Sequence, residues 1–228
     1  MTTENLVKLI SSQFPLFLYL ITWIISVIRY KRFFDTPLKY LPMLVIYTFF
    51  TELLGYFIKY NDQFLFFSDD RYAWHNVIIY NIYQLIFFLF FYRVYHRALK
   101  KESHKKWVKY GSYLCILAYI VNSIIANPLH NRLSYAHIVG SFILIFILVL
   151  YFLEKKSEES FYPQKHNLLF WVSMGLLTFY LIFPLVLIFG NISIDVQFYL
   201  RRTLLSLIGI MYGCFIIGLL AGKRKAFR

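Results

Sequence analysis

Acidic residues are scarce in this chain. Asp and Glu number 11 against 24 Lys and Arg in 228 residues, and all charged residues together make up 15%. A soluble domain carries about 25% charged residues, so a water-facing surface is poorly provided for. Cysteine is rarer still. Cys115 and Cys214 each lie inside an apolar run, without metal-ligand spacing or a partner motif, and read as small core residues. A basic leading segment and a small-x-small cleavage site are also missing, so the N-terminus is not expected to be a cleaved signal peptide. No polar stretch is long enough for a soluble output domain, and no internal repeat of the transporter kind is evident.

What is abundant is apolar: 60% of the residues, with 21% aromatic. A soluble protein of this size could not hide so much Phe, Leu and Ile from water, whereas a bilayer is a natural solvent for it. The basic excess could suggest nucleic acid or a membrane surface. Because the Lys and Arg cluster between the hydrophobic stretches, the membrane is the expected partner and nucleic acid is not.

About 20 apolar residues cross a hydrocarbon core of roughly 30 Å. Seven runs meet that requirement: residues 6–28, 40–58, 74–92, 110–126, 135–153, 167–189 and 198–221. The expected fold is therefore all-α, a polytopic membrane helix bundle in a single transmembrane domain covering 1–228. Pro15 lies near the outer end of the first run, and Asn127-Pro128 closes the fourth. The sixth is expected to kink or break near Pro184 and to end at Gly190-Asn191.

Between the runs lie a basic loop with Arg29, Lys31, Arg32 and Lys39, and an acidic, aromatic one with Asp62, Asp69, Asp70 and Arg71. A strongly basic loop runs from Arg93 to Lys109, and a mixed loop carries Glu154, Lys155, Lys156, Glu158, Glu159 and Lys165. The tail adds Lys223, Arg224, Lys225 and Arg228. The loops after the odd-numbered runs, with the tail, hold 18 of the 24 Lys and Arg. By the positive-inside rule those segments are cytoplasmic and the N-terminus is outside. Trp74, Trp107, Tyr110, Tyr135 and Trp171 fall near the expected interfaces, where aromatic side chains anchor spans.

An ionisable residue inside a span costs about 2.5–3.5 kcal/mol on insertion scales. Glu52 is the carboxylate that meets this cost. Thr48, Glu52, Tyr56 and Lys59 form one polar stripe on the second helix, with Glu52 roughly 9 Å below its outer end. Other helices bring polar groups to a similar depth: Tyr80, Asn81 and Gln84; Tyr119, Asn122 and Ser123; Tyr135, His137 and Ser141; Tyr199, Arg201, Arg202 and Ser206. The expectation is an outward-facing ligand pocket with Glu52 on one wall and Arg201 or Arg202 opposite, each charge lowering the other's desolvation cost. Its lining would draw on Tyr56, Tyr80, Asn81, Gln84, Asn122 and His137. Interhelical hydrogen bonding is the simpler role for the amides and for Ser141, and lipid headgroups are an equal alternative for the two arginines. His137 reads as an ordinary hydrogen-bonding residue.

His75, His96, His104, His130 and His166 sit in loops or at helix ends on both sides, so neither a metal site nor any other cofactor is expected. The Gly209-x-x-x-Gly213 and Gly218-x-x-x-Gly222 patterns suit either a homo-oligomer face or close packing within the bundle.

Seven helices with an outside N-terminus resemble the layout of rhodopsins, but the seventh run has no Lys before Lys223, which excludes a retinal link. Thr51-Glu52-Leu53-Leu54-Gly55-Tyr56, Tyr80-Asn81-Ile82-Tyr83-Gln84, Asn122-Ser123 and Phe170 to Leu177 resemble a group of small seven-helix membrane proteins of Bacteroidota. The likeness covers nearly the full chain. It implies a bacterial cytoplasmic (inner) membrane protein whose neighbours are signalling kinases and response regulators. In that group a Glu often stands where Gln84 does here, which argues against two-carboxylate chemistry.

The expected function is that of a non-enzymatic sensor or signalling partner binding a small or lipophilic ligand in the outer half, with basic inner loops touching a partner protein or anionic lipid. A transporter or channel would need a polar path through the nearly apolar inner half. A lipid enzyme would need paired carboxylates or an activated nucleophile.

Overall fold

The computed structural model describes residues 3–60, 76–157, 164–189 and 194–223; within these, the side chains of residues 3–12, 59, 60, 76, 164, 194–198 and 201 lie outside the description. Several expectations fall outside the described residues: the loop with Asp62, Asp69, Asp70 and Arg71, Trp74, His75, Glu158, Glu159, Gly190-Asn191, and Arg224, Lys225 and Arg228. So do the side chains of Lys59 and Arg201.

Seven α-helices make up the described chain: α1 (Thr3–Ile28), α2 (Leu41–Tyr60), α3 (Asn76–Ala98), α4 (Glu102–Ile125), α5 (Ser134–Ser157), α6 (Leu168–Phe189) and α7 (Ile194–Ala221). Six contain stretches long and apolar enough to cross a membrane, and α1 adds the shorter apolar stretch Gln13–Ile28. Large apolar side chains face outward on them. Ile124 and Ile125 are 80% and 75% exposed, which suits a chain whose solvent is hydrocarbon rather than water. The fold class is thus an all-α, multi-pass membrane bundle.

Helix ends differ from the ends of the apolar runs. α3 continues past Tyr92 to Ala98 and α4 begins at Glu102, so the basic segment expected as a loop is mostly helix. Glu154, Lys155 and Lys156 likewise belong to the last turn of α5 instead of a loop. Hydropathy marks where a helix leaves hydrocarbon, whereas backbone hydrogen bonding carries it on into the polar zone. At Pro184 the helix is unbroken, since α6 runs through it. The proline leaves the Tyr180 carbonyl without its usual helical donor.

Two compact units are distinguished: Met1–Glu52 with Tyr162–Phe179 and Ile194–Arg228, and Leu53–Phe161 with Tyr180–Ser193. In the first, α1 packs along α7, with Tyr19 against Tyr212 at 4.7 Å between ring centroids. Glycine permits the approach of α6 to α7. A Cβ on Gly175 would stand 2.8 Å from the Met211 carbonyl oxygen, and one on Gly218 would meet Trp171 and Leu168 at 2.8 and 2.9 Å. The Arg32 guanidinium donates to the Leu220 and Gly222 carbonyls at the end of α7, where a cation complements the helix dipole.

In the second unit α3, α4 and α5 pack on one another. The Tyr92 hydroxyl donates to the Gly140 carbonyl at 2.7 Å, and a Cβ on Gly140 would run into the Phe88 ring at 2.5 Å. Hydroxyls inside the spans satisfy themselves locally: Thr48 donates to Leu44, Ser141 to His137 and Ser173 to Leu169, each four residues back.

Candidate functional site

The polar residues singled out in the second unit are largely engaged in joining helices. Asn81 on α3 donates through Nδ2 to the carbonyls of Pro128 and Asn131, and its Oδ1 accepts from the Leu133 amide. Asn122 on α4 accepts from the Ala136 amide in the first turn of α5. The two asparagines together hold the short α4–α5 connection, whose backbone groups need partners where water is scarce. Asn127 helps by accepting from Leu129 after the helix ends. Gln84 donates to the Tyr180 hydroxyl at 2.8 Å. Tyr80 packs its hydroxyl over Gly55, where a Cβ would stand 2.6 Å away.

His137 and Tyr119 behave differently. Both are buried, at 3% and 5% exposure, with ring centroids 5.7 Å apart across α4 and α5. Neither the Tyr119 hydroxyl nor His137 Nε2 has a hydrogen-bond partner among the described residues. A buried polar atom without a partner costs about 1–3 kcal/mol in proteins, so this pair is the place where a small hydrogen-bonding molecule would gain most. Tyr119 is one turn before Asn122 and His137 one residue after Ala136, which puts the pair beside the asparagine-held connection.

Glu52 and Tyr56 are both half-buried on α2, and Arg202 is exposed on α7. The Arg201 side chain lies outside the described residues. Of the expected pocket residues, then, the structure groups Asn81, Asn122 and His137 around one connection and ties Gln84 to α6.

One polar site escaped the sequence reading. Glu154, 5% exposed, turns inward at the opposite end of α5. Its carboxylate accepts from the amides of Lys100 and Lys101, the latter at 3.1 Å, and meets His104 Nδ1 at 2.8 Å. Lys101 is the N-cap of α4 and offers no side-chain cap of its own. A carboxylate from another helix therefore satisfies amides at the start of α4. The signal was present: Gly140, Leu144, Ile147, Tyr151 and Glu154 continue one buried stripe at helical spacing.

Beside this clamp, α3 and α4 flank a groove of about 360 Å³ that includes Arg93, His96, Arg97 and Lys109. Among the described residues, no three His, Cys, Asp or Glu side chains gather as a metal-ligating group. Comparison of the chain with family models, with curated proteins and with solved structures finds no match.

Proposed function

We infer that this membrane protein is a non-enzymatic sensor or signalling partner, and that its ligand engages Tyr119 and His137. The observation that carries the reading is the pair of buried polar atoms on adjacent helices that have no hydrogen-bond partner among the described residues. A small molecule with both a donor and an acceptor would bridge them and shift the packing of α4 against α5 by its differential affinity for two arrangements. Asn81, Gln84 and Asn122, with Tyr56 and Tyr80 of the same unit, act as the polar frame of this site. Glu52 pairing with Arg201 or Arg202 belongs to the same proposal.

The Lys and Arg distribution supports a cytoplasmic location for the end of α3, the start of α4 and the end of α5, and a bacterial inner membrane belongs to the same proposal. The resemblance to small Bacteroidota membrane proteins supports a signalling protein as partner. Gly213, where an added Cβ would meet none of the described residues within 4 Å, is compatible with a second copy packing at α7.

A sensor must couple its ligand site to the far end. His137 and Glu154 are 17 residues apart on α5, about 25 Å at 1.5 Å per residue. Hydrogen–deuterium exchange on the chain in nanodiscs tests that coupling. Tyr119→Phe and His137→Phe are expected to change protection of the Lys100 and Lys101 amides held by Glu154. Unchanged protection in both variants, together with solute flux in liposomes carrying the wild-type chain, would sink the sensor reading in favour of a transporter or channel.

A further inference from the structure

The groove between α3 and α4 gathers basic side chains from two helices around one space. Arg93, His96 and Arg97 recur at i, i+3 and i+4 on α3, and Lys109, Ser112 and Tyr113 repeat the spacing on α4. Two helical ridges thus present their polar side chains to one space. Its base is apolar, formed by Leu89 with the buried Tyr92 and Val108. At about 360 Å³ it falls within the roughly 300–1,000 Å³ of small-molecule sites.

Charge decides what fits. Among the described residues, no carboxylate lines the groove. Two carboxylates of α4 and α5 are engaged elsewhere, Glu102 with Lys105 at 2.7 Å and Glu154 with His104 and the start of α4. Three permanent cations therefore face one cavity without an acidic neighbour in its walls. Basic residues flanking a span ordinarily set topology by reaching water separately. Here Arg93, Arg97 and Lys109 line one groove from two helices, the Lys109 ammonium lying 6.0 Å from the centroid of the Tyr113 ring. The Glu154 clamp fixes the connection between the helices. Two guanidiniums one turn apart offer forked donors matched to phosphate oxygens, and the ammonium opposite adds a point charge. The Ser112 hydroxyl is committed to the Val108 carbonyl, so the binding charge comes from the three cations.

The geometry points to a phosphate-binding site in this groove, occupied by the headgroup of an anionic membrane lipid. The apolar base below a cationic rim selects a phosphate that carries acyl chains, since a free anion would leave Leu89 unused. The inference stands on the membrane character of the chain and is independent of the Tyr119–His137 site.

The test uses the full-length chain purified in detergent. It is titrated separately with dioleoylphosphatidylglycerol, with dioleoylphosphatidylcholine and with inorganic phosphate, and occupancy is read by native mass spectrometry. Phosphatidylglycerol is expected to be retained in preference to phosphatidylcholine. Removing one cation should weaken it about fivefold and removing two more than about tenfold, as Lys109→Gln and as Arg93→Gln with Arg97→Gln. Lys101→Gln with Lys106→Gln strips two exposed charges from the same end outside the groove, and should change affinity less than about twofold. Inorganic phosphate that binds with the same dependence on Arg93, Arg97 and Lys109 would support the anion site and make free phosphate its source. Equal losses in both double variants, or none in either, would overturn the site in favour of diffuse attraction. If the arginine double variant fails to fold, Lys109→Gln decides on the opposite wall: an affinity unchanged from wild type overturns the proposal.

Discussion

Glu154→Ala removes three interactions at once: acceptance from the Lys100 and Lys101 amides and the contact with His104. Hydrogen bonds to a charged group contribute about 1.5–3 kcal/mol each when buried. These lie at the polar end of the unit, where water can reach the released amides, so the smaller cost of losing a helix cap, about 0.5–2 kcal/mol, sets the scale for the backbone pair. Together with the histidine contact, the loss comes to about 3 kcal/mol. At about 2–4 °C per kcal/mol for a chain of this size, the midpoint of thermal unfolding in a fixed detergent should fall by roughly 6–12 °C. Glu154→Gln keeps the shape and one acceptor oxygen but loses the charge, and should cost about half as much. His104→Ala should cost about 1 kcal/mol and be non-additive with Glu154→Ala, because the two share one interaction. A Glu154→Ala variant melting within about 1 °C of wild type would refute the clamp as a stabilising element.

Four further outcomes follow from contacts described above. Asn81→Ala leaves the Pro128, Asn131 and Leu133 backbone groups without their side-chain partner, and should destabilise by about 2–4 kcal/mol in thermal unfolding, more than Gln84→Ala at about 1 kcal/mol. Gly175→Ala should destabilise by about 1–3 kcal/mol, since its Cβ meets the Met211 backbone, whereas Gly213→Ala should be neutral or mildly stabilising in the monomer. Tyr119→Phe deletes a buried hydroxyl that has no partner among the described residues, and should raise the unfolding midpoint by the equivalent of about 1 kcal/mol in ligand-free detergent; a fall would show that the hydroxyl is satisfied. Glu52→Gln should keep its unfolding free energy within about 1 kcal/mol of wild type if the carboxylate serves ligand binding, and a sharp loss in thermal unfolding would make it structural.

Much of the fold was legible because a membrane reduces the problem to one variable. Runs such as 135–153 and 167–189 locate a helix by hydropathy alone, and α5 and α6 lie where those runs do. Their ends were less legible. No long apolar run marks the continuation of α3 from Arg93 to Ala98, where buried Val94 and Tyr95 alternate with exposed Arg93, His96 and Arg97. The site was legible in kind and not in detail. Asn81, Asn122 and His137 stood out as polar groups in apolar sequence, but the backbone groups that the two asparagines hold lie 14 to 52 residues away and are set by tertiary packing. Glu154 was hidden by its neighbours, because a carboxylate followed by Lys155 and Lys156 reads as solvated charge until its place on the buried stripe is noticed. The α3–α4 groove was invisible for a related reason: seven cations in one segment announce a side of the membrane, not which three of them converge.

The pairing of α1 with α7 has a consequence for how the chain is made. α3, α4 and α5 are neighbours in sequence and in space, so their contacts can form soon after each span enters the bilayer. α1 is synthesised first, yet the surface that covers Tyr19, and the α7 carbonyls that receive Arg32, arrive last. Through most of synthesis the first helix must therefore stand in lipid on its own hydrophobicity, or against a chaperone of the insertion machinery. The second unit can be complete before the first has begun to close, and the order of assembly runs from the middle of the chain outward to its two ends.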